Sequence, residues 1–375
     1  MIMKFSADKN ILYEAVSNAS KACALKSALN ILDGVLLNLK DNILTITGYD
    51  LEIGIKISVN VDGQEDGNIV TDPRLLSELV KKMPGDIVNF ILKDEKEIEI
   101  TSGKLILNIP YKIGTDFPNI IEIKKELSFN MKEKLLKEML TRVDYASARN
   151  DVNPSLMGIK IDIEDNIFYS AATDGNRLAT KYCKIENENV SFILPEKAVV
   201  SLIKSLSDEE NEENPKEISI SIDKNQICVS KENYMIVSRL LDGKFVNYKR
   251  IIDGTYTKSL NINVKDLCSS MERCLLLMSD KLKSPVSCSV NDEYMKISCK
   301  TALGAINEEI PIIINNGDFK DFNIFFNPRF MLEALQKTYC EEVKINFDGS
   351  LNPFKITPIV DNGEFIFIIV PIRSS

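Results

Sequence analysis

Three stretches of the chain repeat one spacing of apolar residues. Ile11-Leu12-x-x-Ala15-Val16-x-x-Ala19, Leu135-Leu136-x-x-Met139-Leu140-x-x-Val143 and, more loosely, Leu267-Cys268-x-x-Met271-x-x-x-Leu275 share it. Apolar residues at i, i+1, i+4, i+5 and i+8 line one face of a helix. Each stretch follows a short extended one: Met3-Lys4-Phe5, Leu127-Ser128-Phe129 and Leu260-Asn261-Ile262. A second helix type opens on proline three times, at Asp72-Pro73-Arg74-Leu75-Leu76, Leu194-Pro195-Glu196-Lys197-Ala198 and Asn327-Pro328-Arg329-Phe330-Met331. Proline is tolerated in a first helical turn, where the N–H it lacks would have no partner. Asp72 and Asn327 are natural N-caps. The helical segments predicted are 8–26, 72–83, 130–149, 195–206, 263–283 and 327–338.

Between the helices the period drops to two. Gly34–Leu39 and Ile43–Ile46 flank a turn at Asp41-Asn42, and this reads as a hairpin. Ile159–Ile163 with Ile167–Tyr169, and Val286–Val290 with Tyr294–Ile297, repeat it. Further strands follow the second helix, among them Ile87–Ile91, Ile98–Ile100 and Leu105–Leu107. Ile11, Leu135 and Leu267 lie 124 and 132 positions apart, and Pro73, Pro195 and Pro328 lie 122 and 133 apart. Two markers kept in step imply three homologous domains, each made of two similar helix-plus-strands halves. The expected domains are 1–126, 127–255 and 256–375, and the fold class is α+β. The acidic run Ser207–Glu213 reads as a solvated loop of the second domain.

Composition narrows the chemistry. There is no histidine, which removes the commonest general base and metal ligand. The eight cysteines are scattered, with no C-x-x-C, and read as reduced, mostly buried cytosolic thiols. Gly103-Lys104 and Gly243-Lys244 lack the rest of a phosphate-binding loop, and no G-x-G-x-x-G or G-x-S-x-G occurs. Asp174-Gly175, Asp242-Gly243 and Asp348-Gly349 read as turns. No catalytic signature, cofactor or metal site is expected. No run of about 18 apolar residues suggests a membrane span. The N-terminus does not read as a secretory signal, and Met3 could be the natural start.

The chain carries −9 overall, which taken alone argues against a nucleic-acid partner. The six helical segments nevertheless hold a net +7, leaving −16 for the rest. Helices gathered on one weakly basic surface would attract duplex DNA, with about one charge per 1.7 Å, without reading its sequence. An acidic exterior would keep DNA off the rest of the protein.

Several local motifs then resemble one family. They are Lys4-Phe5-Ser6, Thr47-Gly48-Tyr49-Asp50-Leu51-Glu52, Asp116-Phe117-Pro118-Asn119, Ala172-Thr173-Asp174-Gly175-Asn176-Arg177-Leu178-Ala179, Leu241-Asp242-Gly243-Lys244-Phe245-Val246-Asn247-Tyr248 and Ile369-Val370-Pro371-Ile372-Arg373. Together they resemble the bacterial sliding clamps, the beta subunits of DNA polymerase III, over essentially the whole chain. The resemblance implies a DNA-clamp fold and a head-to-tail homodimer, a ring of six domains with helices lining the hole. It implies a cytoplasmic, nucleoid-associated processivity factor on double-stranded DNA, not an enzyme. Its implied partners are a clamp loader, the replicative polymerase alpha subunit and other proteins carrying a clamp-binding motif. The competing reading is a non-ring, three-domain peptide-binding adaptor that does not encircle DNA.

In that family a partner peptide with apolar anchors enters a groove between the second and third domains. The matching motifs carry that role to Leu156, Thr173, Gly175, Arg177, Leu178, Val246, Ile251, Pro353, Ile368, Val370, Pro371 and Ile372. Leu178, Val246, Ile251, Ile368 and Val370 would supply the apolar pocket in which such anchors concentrate binding energy. Asn176 stands where the family often has His, and Val246 where it often has Pro. Lys26, Arg74, Arg149, Lys197 and Arg250 are the expected DNA contacts. Leu276 and Leu277 are the expected subunit contact.

Overall fold

The computed structural model describes residues 3–24, 28–93, 97–120, 123, 126–208, 216–278, 285–360 and 365–373. Lys26 and residues 209–213 of the acidic run lie outside the described residues. The helices are α1 (Lys9–Ala19), α2 (Pro73–Lys81), α3 (Glu133–Thr141), α4 (Glu196–Ser205), α5 (Tyr248–Ile252), α6 (Val264–Leu276) and α7 (Pro328–Gln336). All six expected helices are present, but each is shorter than its predicted segment. Some ends carry a serine or threonine hydroxyl bonded back to the preceding turn, and α1 passes into a 3-10 turn at Ser20–Ala22. Ser20 donates to the Ser17 carbonyl beyond α1 at 2.7 Å, and Thr338 to the Leu335 carbonyl beyond α7 at 2.7 Å.

Caps fix several starts. Asp72 Oδ1 accepts the N–H groups of Arg74 and Leu75 at 2.8 and 2.9 Å, and Asn327 Oδ1 accepts that of Arg329 at 3.0 Å. Pro73 and Pro328 occupy the first turns of α2 and α7 as expected. Pro195 differs: it ends the strand Val190–Pro195, paired with Gly158, and α4 opens one residue later. The buried face of α1 is Leu12, Ala15, Val16 and Ala19, whereas Ile11, expected on that face, is 54% exposed. α5 falls in a segment for which the periodicity gave no helix.

The strands divide into two compact units, residues 1–135 with 200–240, and 136–199 with 241–375. In the first unit a nine-stranded antiparallel sheet runs from the first repeat into the second. The link is Ile53–Asn60 against Tyr234–Arg239, with Ile53 opposite Ser238 and Gly54 opposite Val237. A five-stranded sheet of the same unit ends on Leu105–Pro110, which pairs with Glu97–Ser102 on one side. In the second unit a twelve-stranded sheet runs from the second repeat into the third. There Arg177–Lys184 lies against Phe365–Ile369, with Arg177 opposite Ile369 and Leu178 opposite Ile368.

The three hairpins form where expected, at Val35–Lys40/Ile43–Tyr49, Gly158–Glu164/Ile167–Thr173 and Val286–Val290/Tyr294–Thr301. Asp165 and Asn166 at φ 53° and 61° give the second the left-handed two-residue turn that suits strand twist. Among the described residues no helix is long and apolar enough to cross a membrane.

Candidate partner-binding groove

The turn after Ile167–Thr173 is built by its own side chains. Asp174 Oδ1 accepts the N–H groups of Asn176 and Arg177 at 2.9 and 3.1 Å. Thr173 Oγ1 accepts the Gly175 N–H at 3.1 Å and donates to the Arg177 carbonyl at 2.5 Å. Gly175 has φ +84°, a conformation that disfavours a Cβ. The turn places Thr173 opposite Leu178, and Leu178 opposite Ile368 on the next strand. The Val370 N–H then donates to the Asn176 carbonyl at 2.9 Å, and Phe354, next to Pro353, pairs with Ile369. The register thereby brings Thr173, Gly175, Leu178, Pro353, Ile368 and Val370 to one sheet junction.

Beneath them lies one apolar cluster: Ala171, Leu178, Ile193, Phe245, Tyr248, Ile252 and Ile368, with Leu156, Tyr169, Leu241 and Ile366 half-buried against it. Phe245, Tyr248 and Ile252 were not among the expected site residues. Their i, i+3, i+7 spacing on α5 and the turn before it is the signal that could have found them. Asn247 caps α5, accepting the Arg250 N–H at 3.3 Å. The Phe245 and Tyr248 rings meet edge-on at 6.3 Å. The Tyr248 hydroxyl donates to Asp162 Oδ2 at 2.8 Å. Burial first, and then the Asp162 charge, hold that phenol well above its ordinary pKa. Val246 (38%), Ile251 (42%) and Val370 (37%) are exposed, and so are Gly175 and Pro353; Pro371 and Ile372 are half-buried. The Ile372 N–H is tied to the Phe325 carbonyl at 2.7 Å. A buried apolar floor flanked by exposed apolar residues is chemistry that suits an apolar side chain.

Arg177 belongs to the opposite face. Adjacent strand residues point to opposite sides of a sheet, so Leu178 on the cluster puts the Arg177 side chain behind it. Its Nε donates to Asp174 Oδ2 at 3.1 Å, one Nη to the Tyr145 carbonyl at 2.6 Å and the other to Glu333 of α7. The guanidinium lies over the Tyr145 and Phe330 rings, 5.2 and 4.5 Å from their centroids. Sequence spacing pointed to the Arg177 position; its side chain supports the turn from behind and does not line the cluster.

Arg74, Arg149, Lys197 and Arg250 are all exposed, in the first turns of α2 and α4, after the 3-10 turn that follows α3, and on α5. Leu276 is 80% exposed at the end of α6. Leu277 is half-buried, its Cδ2 3.6 Å from where a side chain on Gly304 would begin. Sequence reasoning missed exposed apolar residues on two strand edges that have no partner among the described residues, one along Gly304–Ile310 and one along Leu105–Pro110. These are Leu303 (70% exposed) beside the strand Gly304–Asn316, and Leu105 (37%) and Ile106 (62%) on Leu105–Pro110.

Three comparisons with known proteins bear on this geometry. Models of the DNA polymerase III beta subunit match its N-terminal domain at residues 3–121, its central domain at 130–247 and its C-terminal domain at 249–373. The beta sliding clamp of Staphylococcus epidermidis is 28% identical over the whole of both chains. Among solved structures, the DNA polymerase III beta subunit of Thermotoga maritima superposes with a TM-score of 0.90 at 28% identity, covering all of both chains. The Pseudomonas aeruginosa DnaN sliding clamp bound to griselimycin gives 0.90 at 23% identity, over 99% of this chain and all of that one, a likeness of fold.

Proposed function

The chain belongs to the DNA polymerase III beta subunit family, a non-catalytic sliding clamp in DNA replication, and on that premise we propose that two copies close head to tail into a ring around duplex DNA. One observation carries the closure. Twice within the chain, the strand that follows a repeat's central hairpin pairs with the last strand of the next repeat's second half, as Ile53–Asn60 does with Tyr234–Arg239 and Arg177–Lys184 with Phe365–Ile369. The third strand of that kind, Gly304–Ile310, and the third last strand, Leu105–Pro110, each have a free edge among the described residues. A second copy supplies both missing partners, and a head-to-tail contact that closes makes a ring.

The two internal junctions also give the register. Gly54 faces Val237 and Leu178 faces Ile368. Their counterparts on the free edges are Ala305 and Asn108, by their hairpin partners Lys300 and Glu99. Leu276, Leu277, Leu303 and Ile106 would be covered by that contact. Domain limits at 126/127 and 255/256 place both internal junctions between domains.

Within the ring, Lys26, Arg74, Arg149, Lys197 and Arg250 would face the DNA phosphates, and the cluster under Leu178 and Ile368 would receive the apolar anchors of partner peptides. Those partners are the replicative polymerase alpha subunit, the clamp loader and other proteins with a clamp-binding motif. The setting is the cytoplasm, on the nucleoid.

The test is light scattering coupled to size exclusion, together with an Ala305→Cys/Asn108→Cys variant. Facing antiparallel residues lie within reach of a disulfide. The expected result is a particle of two 42.2 kDa chains that the paired cysteines, and neither single variant, lock covalently under mild oxidation. A monomer at micromolar and nanomolar concentration, with no cross-link, would sink the ring and leave a peptide-binding adaptor.

A further inference from the structure

The first internal junction repeats the groove residue by residue, but in closed form. Asp50 Oδ1 accepts the N–H groups of Glu52 and Ile53 at 3.0 and 2.8 Å, as Asp174 does for Asn176 and Arg177. The Arg239 N–H donates to the Glu52 carbonyl at 2.8 Å, as that of Val370 does to Asn176. By these bonds and the strand registers, Tyr49 stands where the groove has Thr173, Leu51 where it has Gly175, Gly54 where it has Leu178, Val237 where it has Ile368 and Arg239 where it has Val370.

At this copy the space is filled. Tyr49, Leu51, Ile120, Gln226, Val237 and Arg239 surround a cavity of only about 10 Å³, no more than a single water molecule needs. A side chain at Gly54 would begin 2.5 Å from Ile120 Cδ1 and 3.2 Å from Tyr49 Cδ2, so these two side chains occupy the place that Leu178 holds in the groove. Tyr49 and Ile120 are 5% and 8% exposed and belong to one buried cluster with Leu32, Val70, Phe117 and Val237. Leu51 carries a side chain at φ +75°, nearly the conformation that Gly175 adopts at +84°. A branched residue is strained there, so a bulky group is kept at the one turn position where glycine would be easier.

We propose that Tyr49, Leu51 and Ile120 close a second copy of the partner groove, and so restrict each chain to one apolar-anchored peptide. The inference rests on the groove reading above. Phe117 and Val237 preserve the apolar lining that Phe245 and Ile368 supply in the open copy. At the groove a side chain on Gly175 would meet nothing within 4 Å, whereas at the first junction Leu51 stands in that position.

Griselimycin, the ligand in the Pseudomonas aeruginosa clamp structure, serves as the probe, titrated calorimetrically into the intact protein. The wild type is expected to bind one per chain, and Val246→Glu/Ile251→Glu to weaken that site at least tenfold. Tyr49→Ala/Leu51→Gly is expected to bind two per chain, and to keep one when combined with Val246→Glu/Ile251→Glu. Leu51→Gly alone relieves the turn and leaves the buried cluster intact; it is expected to admit a weaker second equivalent, and it keeps the test in force should Tyr49→Ala fail to fold. One equivalent in both opened variants, lost with Val246→Glu/Ile251→Glu, would overturn the closed-groove inference and leave the groove standing. A wild type whose binding ignores Val246→Glu/Ile251→Glu would overturn the groove itself.

Discussion

At the scale of single residues the junction is decided by which side of a strand each side chain takes. Leu178 joins the apolar floor, and Arg177, one position earlier, is sandwiched behind it between Tyr145 and Phe330 with Asp174 and Glu333 as its anions. The side chain is 11% exposed, so removing it leaves Asp174 and Glu333, 19% and 33% exposed, without their buried cation. Arg177→Met is expected to cost about 2–3 kcal/mol of stability, read from denaturant unfolding of the intact protein. It should also loosen the Thr173–Leu178 turn, seen as faster amide exchange at Gly175 and Asn176. Had Arg177 lined the groove instead, the variant would change peptide affinity and leave stability nearly untouched. Sequence motifs located these positions, but facing directions depend on register with Phe365–Ile369, nearly two hundred residues away.

At the scale of elements, what was legible was what local chemistry determines. The capped, proline-opened helices α2 and α7, the strand-then-helix order and the three hairpins all form where spacing put them. Asp72→Ala removes the acceptor for two N–H groups at the start of α2. It is expected to lower stability by about 1 kcal/mol, with Asp72→Asn close to wild type, both measured by thermal unfolding. Helix ends were less legible, because α1 passes into a 3-10 turn at Ser20–Ala22 that an apolar period cannot tell from α-helix. α5 was missed for a related reason. The five helical residues alone are too few to show a period, which appears only when Phe245 in the preceding turn is counted, and the helix is held by Asn247 and by packing of Tyr248 and Ile252 on residues distant in sequence.

At the scale of the whole molecule, charge and closure divide the work. With −9 overall and its slight positive excess on helical segments, the protein would hold DNA weakly by electrostatics, and persistence would come from topology. Raising salt from about 50 to about 200 mM weakens a protein with six to ten phosphate contacts by about 10³–10⁵-fold. A ring loaded on circular duplex is expected to lose less than tenfold in retention over that range, as followed by gel filtration, and to leave within minutes once the circle is cut. Equal loss from circles and linear duplex would place the hold in phosphate contacts. Periodicity and charge did not point to closure; the family resemblance implied a ring. The structural argument for it needs two completed junctions laid beside a pair of strands that lack one among the described residues.

Those unfinished strands also expose newly made protein to a hazard. Before the proposed ring closes, Leu105–Pro110 and Gly304–Ile310 would each present an edge with no partner among the described residues, and an open backbone edge will template any extended segment that reaches it. Pro110 and Pro311 can donate no amide at the ends of these edges, and one of them carries Glu309 beside a Glu308 that is paired with Arg273. Such residues discourage mismatched additions while leaving the cognate pairing possible. Replacing them with β-branched apolar residues would favour open filaments over rings, so the same edges that allow assembly also set how cleanly it stops.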